Sequence, residues 1–259
     1  MSSRPSTTMR RQARGQCGFT LIELMVTVGI ALFLLGGLLT ILQNVRATYG
    51  NQQALAQLQD QQRFAMTVLT DVIQAGGYFP DPVGMTTSSA LPADGAYQAG
   101  QAFTGTQGAG APDSIGVRYV TAGSDGVILC DGSTNPGPAG TSQAYTNVFT
   151  VVPPAAGVPG KLLCTLNDNP TPVALVSGVQ GLSIYYGVKR NPGVTDYNVD
   201  TYLTADQMLL PPNGNDWGNI SSVRVILTFN NPLWGQPGQP QFITFERVIE
   251  VMARAGVHT

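Results

Sequence analysis

An α+β architecture is predicted for this chain, with one long N-terminal helix packed on a mainly antiparallel β-sheet domain; the helix is lipid-compatible in its first half and amphipathic in its second. Three features predict it. Phe19 to Leu42 holds a single charge, Glu23; apolar residues then recur at helical spacing as far as Val72. From Ile115 onward, short runs rich in Val, Ile, Tyr, Phe and Thr are separated by Gly, Pro, Asn and Asp. In domain terms this gives a leader at 1–18, an apolar helical half at 19–42, an amphipathic half at 43–77 and a β-rich domain at 78–259.

The first 18 residues contain Arg4, Arg10, Arg11 and Arg14 and no acid. Leu24 to Leu42 then supplies 19 uncharged residues, which as a helix rise about 1.5 Å each and approach the roughly 30 Å hydrocarbon core of a bilayer. The arginines predict the orientation, with the N-terminus cytoplasmic and everything after Leu42 outside. No A-x-A-type cleavage site follows the apolar run, so an ordinary secretory signal does not fit. Instead Gln43, Asn44, Val45 and Arg46 continue without Pro or Gly. Leu55, Leu58, Ala65, Leu69 and Val72 form a stripe, Phe64 and Val68 an i,i+4 pair, and Gly76 and Gly77 a stop signal. One helix from Phe19 to Ala75 would be about 85 Å long. A short membrane tether followed by a separate core helix is the alternative.

Around the start of this helix stands Gly18-Phe19-Thr20-Leu21-Ile22-Glu23-Leu24. It resembles the cleavage and methylation motif of type IV prepilins and type II secretion pseudopilins, with Gly before the cut, Phe after it and Glu five residues into the mature chain. The resemblance implies cleavage by a prepilin peptidase between Gly18 and Phe19 and N-methylation of Phe19. Gly18 lacks a Cβ and lets a protease approach the backbone closely. A carboxylate within an apolar helix costs a few kcal/mol unless it finds a partner, and Glu23 has none within reach in its own helix, where the first basic residue is Arg46. In the pilin family the matching Glu is held to attract the N-terminal amine of a neighbouring subunit; a solvated place at headgroup depth is the simpler reading of Glu23 alone. Gly29, Gly36 and Gly37 would permit close helix packing.

The formal net charge is −2, and removal of the leader leaves nine basic against 15 acidic residues. The mature balance, about −6, does not indicate a uniformly basic nucleic-acid-binding surface. Charged residues make up only 11% of the chain, alongside 31 Gly and 18 Pro, a balance suited to a loop-rich extracytoplasmic protein.

Tyr78 to about Asp113 is rich in Gly, Ala, Ser and Thr and reads as loops. Strands are expected at 115–121, 127–130, 148–152, 162–166, 179–188, 223–229 and 242–251. Cys17 leaves with the leader, so Cys130 and Cys164 remain as an even pair. In an oxidising compartment they read as a disulfide, with two separate buried thiols as the alternative.

Val176-Ser177-Gly178-Val179-Gln180-Gly181-Leu182, Tyr185-Tyr186-Gly187-Val188, Tyr202-Leu203-Thr204-Ala205-Asp206, and Trp217 leading into Ser222-Val223-Arg224-Val225 resemble the pattern of the PilW family of minor pilins. That resemblance implies a pilin-like fold and a subunit that primes or caps a type IV pilus, with prepilin peptidase, other minor and major pilins and the inner membrane as partners. It implies no cofactor and no small-molecule substrate. A minor pseudopilin of a type II secretion system is the alternative, and a membrane-tethered adhesin or hydrolase a more distant one. No H-E-x-x-H, G-x-S-x-G or P-loop is present, and the single histidine, His258, sits one residue from the end. Gly105 to Gly110 lacks the dinucleotide-binding spacing and reads as flexible backbone. Asp131-Gly132 and Asn167-Asp168-Asn169 read as turns in preference to calcium ligands.

Overall fold

The computed structural model describes residues 18–167, 169–190, 198–209, 214 and 216–253. The leader with Cys17 and its arginines, Asp168 and His258 lie outside the described residues. The chain divides into two units after Gln52. Leu21–Gln74 is a single α-helix, α1, in place of a tether followed by a separate helix.

In the first unit, every described residue from Gly18 to Gly50 is exposed. The helix includes an 18-residue window of mean hydropathy 2.5, none of it buried, which is long and apolar enough to cross a membrane. Thr27, Thr40 and Thr48 turn their hydroxyls back onto carbonyls three or four residues earlier, so these three hydroxyls are satisfied within the helix.

In the second unit the rest of α1 buries Leu58, Ala65, Met66, Leu69, Val72 and Ile73. These positions recur at steps of three, four and seven, the spacing that keeps one helical face toward a core. Leu55 is half-buried as the outer end of the stripe. Phe64 departs from expectation: it is 51% exposed, because Ala65 and Met66 take the inward direction at that turn.

Among the described residues nine strands form two antiparallel sheets where one was expected. The first has the order β1-β2-β3-β4-β5, from Phe103–Thr106, Ser114–Ala122, Ser142–Val152, Lys161–Leu166 and Val173–Ser177. The second has the order β7-β6-β8-β9, from Thr201–Leu203, Val179–Val188, Ile220–Asn230 and Phe242–Glu250. Strand β8 shows the pattern that builds such a sheet: Val223, Val225, Leu227 and Phe229 face inward while Arg224, Ile226 and Thr228 face outward. One core cluster joins the α1 stripe to Ile115, Phe149 and Leu162 of the first sheet and Leu182, Val225 and Ile249 of the second.

Strand β2 is buried on both faces from Ile115 to Thr121. Ile115, Val117 and Tyr119 join the main core, whereas Val120 joins a second cluster with Ala90 and Leu91 from the segment after α1. That segment holds a short helix, α2, at Thr87–Ala90, capped by Thr86. Arg118, also buried, anchors it: its guanidinium donates to the carbonyls of Pro92 at 2.8 Å and Gln101 at 3.0 Å, and to those of Leu91 and Gln98 at 3.3 Å. It stacks on Tyr97 at 4.7 Å. Burial lowers the Arg118 pKa, with Tyr97 and Asp94 pulling the other way.

Three strand expectations need correction. Val127 to Cys130 is not a strand; Asp131-Gly132 turns the chain back so soon that one bridge, Ile128 to Thr134, is all that forms. Strands β1, β5 and β7 were not expected, being short or set among Gly, Pro and Thr. Gly105 is not flexible backbone but part of β1: a Cβ there would come within 2.0 Å of the Tyr186 hydroxyl oxygen, so only glycine fits.

At the end of α1, Gly76 and Gly77 stop the helix for two different reasons. Gly77 has φ +80° and donates to the Arg118 carbonyl at 3.0 Å, pinning the helix exit to β2. A Cβ on Gly76 would stand 2.3 Å from the Phe103 ring.

Candidate assembly surface

Helix α1 begins on Thr20, whose carbonyl accepts from the amides of Glu23 at 3.1 Å and Leu24 at 3.2 Å. Its hydroxyl accepts from the Glu23 amide at 3.4 Å, the N-cap half of a capping box. Thr20 was missed as a cap, although its T-x-x-E spacing to Glu23 is visible in the sequence. Glu23 therefore lies in the first helical turn, where the helix dipole favours a carboxylate by about 0.3–1 kcal/mol at an exposed site. No described residue donates a hydrogen bond to that carboxylate.

Phe19, 78% exposed, and Gly18 precede the helix. From Leu21 to Val45 the large apolar side chains are all exposed. Gly29, Gly36 and Gly37 have nothing within 4 Å of where a Cβ would stand, which leaves flat places along the helix for another helix to approach. The result is an apolar rod, one acid and a free helix start. These features supply a packing surface and no catalytic geometry.

Within the second unit the residues singled out from Val176 to Val225 turn out to hold the two sheets together. Tyr186 meets Trp217 edge-on, ring centroids 5.0 Å apart, and its hydroxyl reaches the Thr104 carbonyl of β1 at 3.4 Å. Asp113 bridges the same boundary by accepting from the Ile184 amide at 2.9 Å and the Gly108 amide at 3.0 Å. Tyr202 and Ser222 share a hydroxyl hydrogen bond of 3.0 Å. Burial drives the pKa of Tyr186 and of Tyr119 well above the ordinary tyrosine value, so both stay neutral donors.

Next to Trp217, Asp216 accepts from Arg190 at 2.5 Å and from the Leu209 amide at 2.8 Å. Arg190 also donates to the Gln207 carbonyl at 3.0 Å. Burial pushes the Asp216 pKa up, but the Arg190 hydrogen bond, the Leu209 amide and the Arg190 charge outweigh it, so the net direction is down.

Cys130 and Cys164 form a disulfide, with Cα atoms 6.0 Å apart. Both are buried, and Asn147 accepts from the Cys130 amide at 2.9 Å. The suspected calcium positions are occupied by turn chemistry: Asp131 accepts from the amide and hydroxyl of Ser133, Asn167 from the Thr146 amide and Asn169 from the Thr171 amide. Among the described residues no group of three or more His, Cys, Asp or Glu could hold a metal.

Comparison with known proteins bears on both ends of this picture. Residues 13–39 match the family model described as the prokaryotic N-terminal methylation motif. Residues 148–240 match that described as Type IV Pilus-assembly protein W. Over these 93 residues the chain is similar to that family. That match covers β4 to β8, so it contains the Tyr186–Trp217 contact and the Asp216 cluster. Among solved structures, a type IV-like pilin from Thermus thermophilus aligns with 76% of this chain and 98% of its own, at 14% identity and a TM-score of 0.38. No curated protein matches this chain.

Proposed function

We propose that this chain is a minor pilin of the PilW family that enters the inner membrane through the apolar half of α1, with its N-terminus cytoplasmic and its β-rich unit periplasmic. A prepilin peptidase cuts between Gly18 and Phe19 and methylates the new amine. The processed chain then joins other minor and major pilins and acts in priming or capping a type IV pilus. Its role is structural: helices pack in the filament core and no reaction is catalysed.

One observation carries this reading. Glu23 is the only charge between Phe19 and Val45 in the exposed apolar half of α1, sits in the first turn of that helix, and falls inside the segment that matches the methylation motif. In hydrocarbon an unpaired carboxylate costs a few kcal/mol, a penalty that the amine of Phe19 on a neighbouring subunit would relieve. The free subunit therefore pays a cost that assembly removes, which gives assembly a direction.

The test is Glu23→Ala with Glu23→Gln, scored by the share of tagged protein in sheared pili against the share left in the membrane. Both variants are expected to reach the membrane and to be at least tenfold depleted from pili. Wild-type incorporation of either one overturns the proposed role of the charge.

A further inference from the structure

The hairpin between β8 and β9 presents an aromatic side chain that neither the core nor α1 uses. Trp234 is 60% exposed, the more exposed of the chain's two tryptophans, since Trp217 is buried. Its loop is nevertheless closely fixed from within. Asn231, buried at the loop base, accepts from the Leu233 amide at 2.9 Å and donates from its side-chain nitrogen to the Pro240 carbonyl at 2.7 Å and to the Gln239 side chain at 3.3 Å. Its backbone amide bonds the Gln241 carbonyl at 3.0 Å, and the Trp234 amide donates back to the Asn231 carbonyl at 3.0 Å. Pro232, Pro237 and Pro240 stiffen the loop further. The indole is thus held in water by a scaffold ordered before any ligand arrives, which removes much of the ordering cost of binding.

The chemistry around it is narrow. The eighteen residues Thr228 to Phe245 include no charged side chain but five amides: Asn230, Asn231, Gln236, Gln239 and Gln241. Asn230 pairs through its side chain with Gln180 of β6 at 2.5 Å, and its strand partner is Phe242, itself partly exposed. An anionic membrane surface or nucleic acid would call for Lys or Arg beside the indole, and the hairpin offers none. A protein partner would call for a wider apolar patch; in the loop from Asn231 to Gln241 Trp234 is the one exposed large apolar side chain beyond the prolines, set among amides and glycines, with Leu233 half-buried. Neutral sugars meet both conditions. The apolar face of a pyranose stacks on an indole, and its hydroxyls pair with planar amides that both donate and accept.

We infer that the β8–β9 hairpin is a binding site for an uncharged saccharide, with Trp234 as the stacking platform, the exposed side chains of Asn230 and Gln241 as hydroxyl partners, and Asn231 and Gln239 holding the loop. This goes beyond the pilin role and does not depend on it, since one subunit carries the whole site.

The test uses the full chain in a zwitterionic detergent without a sugar headgroup. Cellohexaose, maltohexaose and chitohexaose are titrated separately, with heparin as a charged counter-probe, and read by tryptophan fluorescence and calorimetry. At least one neutral hexasaccharide is expected to bind and to shift the Trp234 emission. Trp234→Ala should weaken that binding at least tenfold and Trp234→Phe less, while the buried Trp217 signal reports that each variant stays folded. Asn231→Ala, which frees the loop but keeps the indole, should weaken binding to an intermediate degree. The inference is overturned if no neutral probe binds at 10 mM, if Trp234→Ala binds as wild type does, or if heparin alone binds. It is equally overturned if the indole proves to mediate self-association with no sugar binding.

Discussion

Reducing the Cys130–Cys164 disulfide removes a cross-link spanning 34 positions of sequence while leaving every other contact available to re-form. In the chain-entropy treatment, closing a loop of about 35 residues removes roughly 13 cal/mol/K from the unfolded chain, or about 4 kcal/mol at 25 °C. The bond fastens the turn after β2 to β4, and both sulfurs lie in the main core, so no second contact is available to make up the loss. The measurement is urea unfolding of the full chain in detergent micelles, followed by near-ultraviolet circular dichroism of the β unit. One sample is oxidised; the other is unfolded, reduced and refolded in reductant, because the buried bond is out of reach in the native state. With a slope of about 2 kcal/mol per M, the reduced midpoint should fall by about 2 M. Cys130→Ala/Cys164→Ala should fall at least as far, since it also empties the space of two sulfurs. Coincident midpoints for oxidised and reduced protein would refute the reasoning, and a free-thiol assay finding two reactive cysteines in the purified protein would refute the bond.

Further outcomes follow from the packing and the charges. Leu69→Ala, at a fully buried position of α1 within the main core, should destabilise the β unit by about 3–5 kcal/mol in the same urea assay, whereas Phe64→Ala, mostly in water, should change it by less than about 1 kcal/mol. The Asp216 pKa is lower in the folded than in the unfolded chain. Its ion pair therefore stabilises above the unfolded carboxylate range, and that stability is lost as pH falls through the folded value. Asp216→Asn should flatten the acid limb of a stability profile taken between pH 2 and 6 and leave its slope near neutrality unchanged. Gly76→Val places a branched side chain against the Phe103 ring and should lower the thermal midpoint, whereas Gly50→Ala, with open space around it, should not.

The parts of this fold legible in the sequence are those with a single buried face. Leu58, Ala65, Leu69 and Val72 were readable because three-and-four spacing survives in a Gln-rich setting, and Val223 to Phe229 because period-two alternation does. Met66 and Ile73 were not, since they widen the stripe without changing its period. Strand β2 hid a structural device. Periodicity gives no sign that both faces are covered, and Arg118 would pass for an outward residue, yet it is the peg to which the segment from Leu91 to Gln101 is fastened. Strand β1 was lost in its Gly/Ala/Thr-rich surroundings, and Gly105 is there because the Tyr186 hydroxyl leaves no room for a Cβ, a tertiary cause with no local signal. The second sheet went unseen because register and sheet membership arise from pairings such as Ile184 with Val225, far apart along the chain. At the candidate surface, Gly18, Phe19 and Glu23 were legible as a motif, and the Thr20 cap was present in the same seven residues but masked by it.

The central claim is that a leader is removed and that the acid of a processed helix is matched by another subunit's amine. The most direct measurement is intact and fragment mass spectrometry of the protein recovered from membranes and from sheared pili. The account predicts a 241-residue chain beginning with N-methylated Phe19 in both fractions. A chain in sheared pili that still carries Arg4, Arg10, Arg11 and Arg14 would contradict it.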